Sequence, residues 1–391
     1  MPVYLTPGVY VEEVPGTPPI APLGTSTAGF IGVVDESAAG FQMPLRPGSE
    51  TDRYTLASVN SAELVTSFDQ FKNKFGDFHA ANSTLAHAVF GFFNNGGTRC
   101  WVIRVDDLSS VSDVNAALGE FARIDEIAIV AAPGANIKAV QDAVIDHCEN
   151  LKYRFAIIDS QRPTEATVNG ILQDTNGDTV KNSQYAALYF PWLRVADPIT
   201  DGQIFVPPSG HMAGLYARVD GTRGVHKAPA NEVVRGALGL EYLTTKNEQA
   251  GLNPRGINVI RGFNGDIRVW GARTLGDNNG EFTYISTRRL MNMIGASLEQ
   301  GTRFAVFEPN AHPLWQRIVR AVTAFLTIVW RDGALFGTTP EQAFYVRCDE
   351  TTNPPEVREL GQVIIEIGVA VVKPAEFVIF RISQLAGPAS E

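Results

Sequence analysis

Short apolar runs alternate with amphipathic helical stretches through the first part of the chain. Residues 28–34, 101–105, 127–131, 155–159 and 186–190 are near-continuous apolar runs, the pattern of strands covered on both faces. Residues 62–75 place Leu64, Val65, Phe68, Phe71 and Phe75 at helical spacing, with Ser61 as a cap. Residues 85–93 predict a second helix, stopped by Asn94-Asn95-Gly96-Gly97, and residues 137–151 another. This rhythm predicts parallel strands joined by crossover helices. Residues 191–231 are rich in Gly and Pro and predict irregular chain with one helix near 210–219.

The pattern changes near residue 256. Residues 257–261, 267–274 and 282–285 predict strands, and 287–300 a helix. Pro313 opens a longer helix, a favoured early position. Its stripe Leu314, Trp315, Ile318, Val319, Val322, Phe325, Leu326, Val329 and Trp330 faces a core. Residues 344–348 and 363–372 predict strands. Lys373-Pro374 then breaks the chain before Phe377, Val378, Ile379, Phe380 and Ile382, a strand apolar on both faces. At the other end, six prolines in the first 22 residues exclude a helix and leave one short β-prone run at 8–14. The expected architecture is α/β and α+β. It has an extended N-terminal arm (1–24), a middle α/β domain (25–255), an α+β C-terminal domain (256–374) and a C-terminal strand arm (375–391).

Composition narrows the function. With 391 residues, 45% hydrophobic and 19% charged, the chain has material for more than one ordered core. A net charge of -10 argues against nucleic-acid binding through bulk charge, which needs a basic face. Cys100, Cys148 and Cys348 are too scattered for a disulfide framework or a cysteine-rich zinc site, so a reducing compartment is expected. Residues 1–8 lack the features of a signal peptide. The most membrane-like run, 321–330, is about half the ~20 residues a spanning helix needs. Synthesis and folding in the cytoplasm are expected.

Candidate chemistry is sparse. The sequence has no Gly-Lys pair and therefore no P-loop, and its six histidines do not fall at metal-ligand spacing. Gly24-Thr25-Ser26-Thr27-Ala28 nearly spells a nucleophile elbow, but it precedes a strand and ends in Ala. Asp174-Thr175-Asn176-Gly177-Asp178 starts like a calcium loop, yet Thr179 and Tyr185 stand where Gly and Glu are needed. No catalytic, cofactor-binding or metal-binding residue is expected, and the chain is not expected to be an enzyme. A solitary strand at each end needs a sheet edge to pair with, and natural proteins supply one by β-augmentation. Heterologous linking of that kind builds rings or helical polymers.

Four segments carry a family resemblance. They are Thr6-Pro7-Gly8-Val9-Tyr10-Val11-Glu12-Glu13, the stretch 220–231 from Asp220 to Asn231, Asn258-Val259-Ile260-Arg261 with Val269-Trp270-Gly271-Ala272-Arg273-Thr274, and Lys373-Pro374-Ala375-Glu376-Phe377. In this order they resemble contractile tail sheath proteins of phage tails, R-type bacteriocins and extracellular contractile injection systems. The small size is closer to the latter two than to the largest phage tails. The resemblance implies a structural subunit that stacks as hexameric rings around an inner tube and contracts to drive the tube through a target envelope. It implies no cofactor, no direct nucleic-acid contact and no membrane insertion. The implied partners are neighbouring sheath subunits in the same and adjacent rings, the inner tube protein, the baseplate and the tail terminator or cap. Such a subunit is expected to assemble in the bacterial cytoplasm and become part of a virion or of a released phage tail-like particle. Val9, Tyr10, Val11, Glu12, Glu13, Phe377, Val378, Ile379, Phe380 and Ile382 would be the inter-subunit arm strands, the middle domain the outer part, and the C-terminal domain the inner lattice. Basic residues concentrated on two helices, Arg288, Arg289, Arg317, Arg320 and Arg331, are candidates for facing the tube. The alternatives are a sheath-related baseplate or terminator component that caps the polymer, or an α/β enzyme.

Overall fold

The computed structural model describes residues 19–163, 166–174, 176–276 and 280–379. Two compact units divide them: residues 23–295 with 371–379, and residues 19–22 with 296–370.

The larger unit is built on an eight-stranded sheet. In chain order its strands are β1 (Ala28–Val33), β2 (Glu63–Val65), β3 (Cys100–Val105), β4 (Ile129–Ala131), β5 (Phe155–Asp159) and β6 (Ala186–Phe190). A separate three-stranded antiparallel sheet follows, with β7 (Leu193–Asp197) between β8 (Gly202–Val206) and β9 (Ala237–Leu240). Strands β10 (Ile257–Phe263) and β11 (Asp266–Val269) then complete the large sheet. Its spatial order is β11-β10-β6-β5-β4-β1-β3-β2. The interior pairs are parallel, and only the two edge strands, β2 and β11, run antiparallel to their neighbours.

Successive residues on each strand point to opposite faces, and both faces are covered. Phe30, Val102, Ile129, Phe155, Ile157 and Tyr189 join one core with residues of helices Phe68–Phe75, Ser83–Asn95 and Ser209–Arg223. Ile31, Ile103, Val130, Ala156, Ile158 and Leu188 join a second core with helices Val111–Phe121 and Lys138–Leu151. Helices Ser83–Asn95 and Ser209–Arg223 touch backbone to backbone. A β-carbon at Gly210 would collide with the Ala88 carbonyl, and one at Gly214 with the Phe92 carbonyl.

Several expectations are met and others corrected. The apolar runs are the parallel strands expected. Residues 62–75 are not one helix. Glu63–Val65 pairs with β3 as an edge strand, and the helix starts at Phe68, where the Ser67 side chain accepts from the Gln70 amide. The irregular stretch after residue 191 contains the hairpin β7–β8, and its helix is longer than expected, Ser209–Arg223. Strand β11 stops at Val269, and residues 282–285 contribute a single bridge, Arg273 to Tyr284. The boundary expected at 255/256 falls inside the large sheet, because β10 pairs with β6 through Ile257–Leu188, Asn258–Tyr189 and Val259–Phe190. The division between units lies instead within helix Ile285–Gly301.

The smaller unit is centred on helix His312–Arg331. Leu314, Trp315, Ile318, Val322, Phe325, Leu326 and Val329 of the expected stripe are buried. Strands β12 (Phe344–Arg347) and β13 (Glu366–Val369) form an antiparallel pair. Buried Ile20 packs against Gly301.

Candidate assembly site

Three of the segments that carry the resemblance meet on the larger unit. The first begins inside helix Ser209–Arg223, which ends at Gly224, whose φ of 90° and amide bond to the Asp220 carbonyl close the last turn. The loop that follows folds around Lys227, whose Nζ donates to the Ala228 and Ala230 carbonyls at 2.6 and 3.0 Å. It then joins the sheet edge where the Asn231 amide donates to the Val269 carbonyl at 2.7 Å.

The second segment, residues 270–274, turns back along β10. Asn258, fully buried, accepts from the Arg273 amide at 2.7 Å and donates to the Arg273 carbonyl at 2.8 Å. The same amide group donates to the Leu188 carbonyl on β6 at 3.2 Å. A β-carbon at Gly271 would lie 2.9 Å from Asn258, so glycine permits this close approach.

The third segment lies against the second. Arg273 meets the Glu376 carboxylate in a fork, Nη2 to Oε2 at 2.7 Å and Nε to Oε1 at 3.1 Å. Asn253 Nδ2 donates to Oε1 at 2.6 Å and the Tyr284 hydroxyl to Oε2 at 3.0 Å. Burial alone would raise the Glu376 carboxyl, but the hydrogen bonds from Arg273 and Asn253, with the Arg273 charge, hold it below the usual carboxylate range. A carboxylate of that kind keeps its partners until the pH falls through its lowered value, so the contact persists in mild acid. Beside it opens a cleft of about 1120 Å³, with Lys227, Trp270, Tyr284, Glu376, Phe377 and Val378 among its walls.

The expected arm residues divide. Phe377, Val378 and Ile379 are 70%, 72% and 79% exposed, so their own subunit does not bury them. Val9, Tyr10, Val11, Glu12, Glu13, Phe380 and Ile382 lie outside the described residues.

The expected basic face also divides. Arg289 cannot face a tube. It is buried at a 4% exposed side chain, pairs with Asp220 at 2.6 Å, donates to the Thr25 carbonyl at 2.9 Å, and lies 4.6 Å over the Tyr216 ring. Arg288 is half-buried between Tyr185 and Phe282, with its Nε on Asn292 at 2.9 Å. Arg317 stacks on Phe304 and pairs with Glu308 at 3.6 Å. Arg320 and Arg331 remain exposed. Helical periodicity could not reveal the burial of Arg289, because its partner Asp220 is 69 residues away. Nor could spacing pair Arg273 with Glu376, 103 residues apart, although both lie in segments singled out by resemblance.

Comparison with known proteins places this geometry in a class. Residues 110–275 match the phage tail sheath protein central domain and residues 277–384 the phage tail sheath C-terminal domain. The sheath complex of an extracellular contractile injection system, PVC, in its contracted state is 30% identical. It covers 98% of this chain and 99% of its own, with a TM-score of 0.78. The contracted helical sheath of the anti-feeding prophage is 29% identical, with 98% and 100% coverage and a TM-score of 0.77. The tail sheath protein of Vibrio phage KVP40 is 25% identical over 308 residues, 73% of this chain. This chain spans only 44% of the length of that phage protein. The chain belongs to the contractile tail sheath protein family.

Proposed function

We propose that this chain is the repeating structural subunit of a contractile sheath, stacked as hexameric rings around an inner tube. It works without catalytic turnover: the stroke comes from repacking of subunits, and the tube is driven through a target envelope. The observation that carries this reading is the match along almost the whole chain to contracted sheath subunits. The exposed apolar run at 377–379 supports it, since such a run needs cover from another chain. Partners would be neighbouring subunits, the inner tube, the baseplate and the terminator. Assembly would precede incorporation into a phage virion or tail-like particle. Electron microscopy of the purified protein should show tubular polymers. Isolated rings that never stack would favour a baseplate or terminator component instead.

Within the polymer, the polar loop around Asn176-Gly177 on the larger unit faces outward. The Asn176-Gly177 turn is exposed and lies next to Asp178 in a polar loop, where insertions are tolerated. A short epitope placed there should be bound by antibody on intact particles. Particles that assemble yet never bind the antibody would overturn this radial placement.

Arg320 and Arg331 form the remaining exposed basic face of helix His312–Arg331 and are directed at an acidic tube surface. Reversing both to Glu should lower co-assembly on tubes about tenfold or more while leaving the melting temperature nearly unchanged, as surface charges contribute little to stability. Arg317 is left out because it braces Phe304 and Glu308. Tube-filled particles at native yield from the double variant would exclude this face.

A further inference from the structure

We infer that Glu376 is a positioning residue: it clamps the root of the C-terminal arm to the central sheet, so that load on the arm enters the sheet through Arg273 and Asn258. The inference rests on the reading of residues 377–391 as a link between subunits.

The geometry supplies a continuous path. Both carboxylate oxygens of Glu376 are engaged, one by Arg273 Nη2 and the Tyr284 hydroxyl, the other by Arg273 Nε and Asn253. Arg273 is itself held by its backbone, amide and carbonyl both bonded to the side chain of Asn258. Asn258 sits on β10 at the register position opposite Tyr189 and also bonds the Leu188 carbonyl, so it ties two parallel strands together. Tyr284 immediately precedes helix Ile285–Gly301, and the Ile285 amide is bonded to the Ala272 carbonyl. The chain turns from clamped to exposed in one step: the Glu376 side chain is 20% exposed and Phe377 is 70% exposed. Pro374, with no amide hydrogen, can add no backbone donor of its own to hold the stretch before the clamp.

A fork of two charge-assisted bonds has a defined direction, unlike apolar contact, which slides. Pull applied beyond residue 376 therefore meets the fork first. Without it, the pull would be taken up along residues 371–375, and the angle at which the arm leaves would vary from subunit to subunit. A lattice repeats that error at every link, so assembly suffers more than the isolated fold.

The test uses the full chain with Glu376→Ala, and with the exchanged pair Arg273→Glu plus Glu376→Arg. Glu376→Ala should keep native circular dichroism, speed hydrogen exchange of residues 371–379, and lower the yield of sedimenting tubes about tenfold, the loss of one charge-assisted pair. The exchanged pair should regain most of that yield and slow the exchange again. Tubes at wild-type yield from Glu376→Ala overturn the inference, as does an exchanged pair that is folded but regains neither yield nor protection. A truncation after Glu376 separates the two ideas. If that truncation still forms tubes, the arm is no link at all. If it forms none while Glu376→Ala assembles normally, only the clamp is wrong.

Discussion

Truncation after Glu376 is expected to give a subunit that melts within about 2 °C of the full chain and forms no tubular sheath. Burial decides between the two outcomes. Had Phe377, Val378 and Ile379 belonged to their own subunit's core, their loss would cost roughly 1.5–3 kcal/mol each and the unit would unfold. They are instead exposed by 70–79%. The truncation spares Glu376 and its bonds to Arg273, Asn253 and Tyr284, so the larger unit keeps its surface intact. Thermal melting and microscopy read the two halves of the expectation separately. An insoluble or low-melting truncation would show that the last segment completes its own core.

Asp220→Ala should be among the most damaging single substitutions in the larger unit, costing about 3–5 kcal/mol, because it leaves a buried guanidinium without its counter-charge. The Asp220 and Arg289 side chains are 6% and 4% exposed. Arg289 makes two bonds to the carboxylate, at 2.9 and 2.6 Å, and Thr25 Oγ1 a third at 2.5 Å. Burial works against the Arg289 charge, while Asp220 restores it and keeps the guanidinium firmly protonated. Below it, the Tyr189 and Tyr216 hydroxyls meet at 2.7 Å, and burial raises both well above the ordinary phenol range. Replacing the pair together, Asp220→Leu with Arg289→Met, should recover at least half of the stability lost by Asp220→Ala, since no charge is then stranded. Denaturant melts of the two variants decide it. A loss under about 1 kcal/mol for Asp220→Ala would mean that water reaches Arg289.

The contrast explains what the sequence made legible. The buried parallel strands could be read because covering a sheet on both faces forces continuous apolar runs, as in Phe155–Asp159 and Ala186–Phe190. Helix His312–Arg331 could be read because one-sided burial imposes its period on the sequence. Residues 62–75 misled because Leu64, Val65 and Phe68 fit a helical period while belonging to two elements, a strand whose partner is more than thirty residues later and a helix capped by Ser67. The hairpin β7–β8 was hidden by the Gly and Pro residues around it. Helix Val111–Phe121 also went unseen, although Ser110 caps it and Val114, Ala117, Leu118 and Phe121 face inward. The site was legible only as separate segments. Resemblance marked residues 220–231, 270–274 and 373–377 without joining them, and the joints are long-range polar pairs that leave no periodic trace.

The contact of helices Ser83–Asn95 and Ser209–Arg223 bears on motion as well as shape. Packed helices ordinarily shear by passing side chains through a series of small rotamer adjustments. At Gly210 and Gly214 there are no rotamers to adjust, only backbone resting on the carbonyls of Ala88 and Phe92. Sliding one helix along the other would press these two points against backbone carbonyls, so the pair resists shear there.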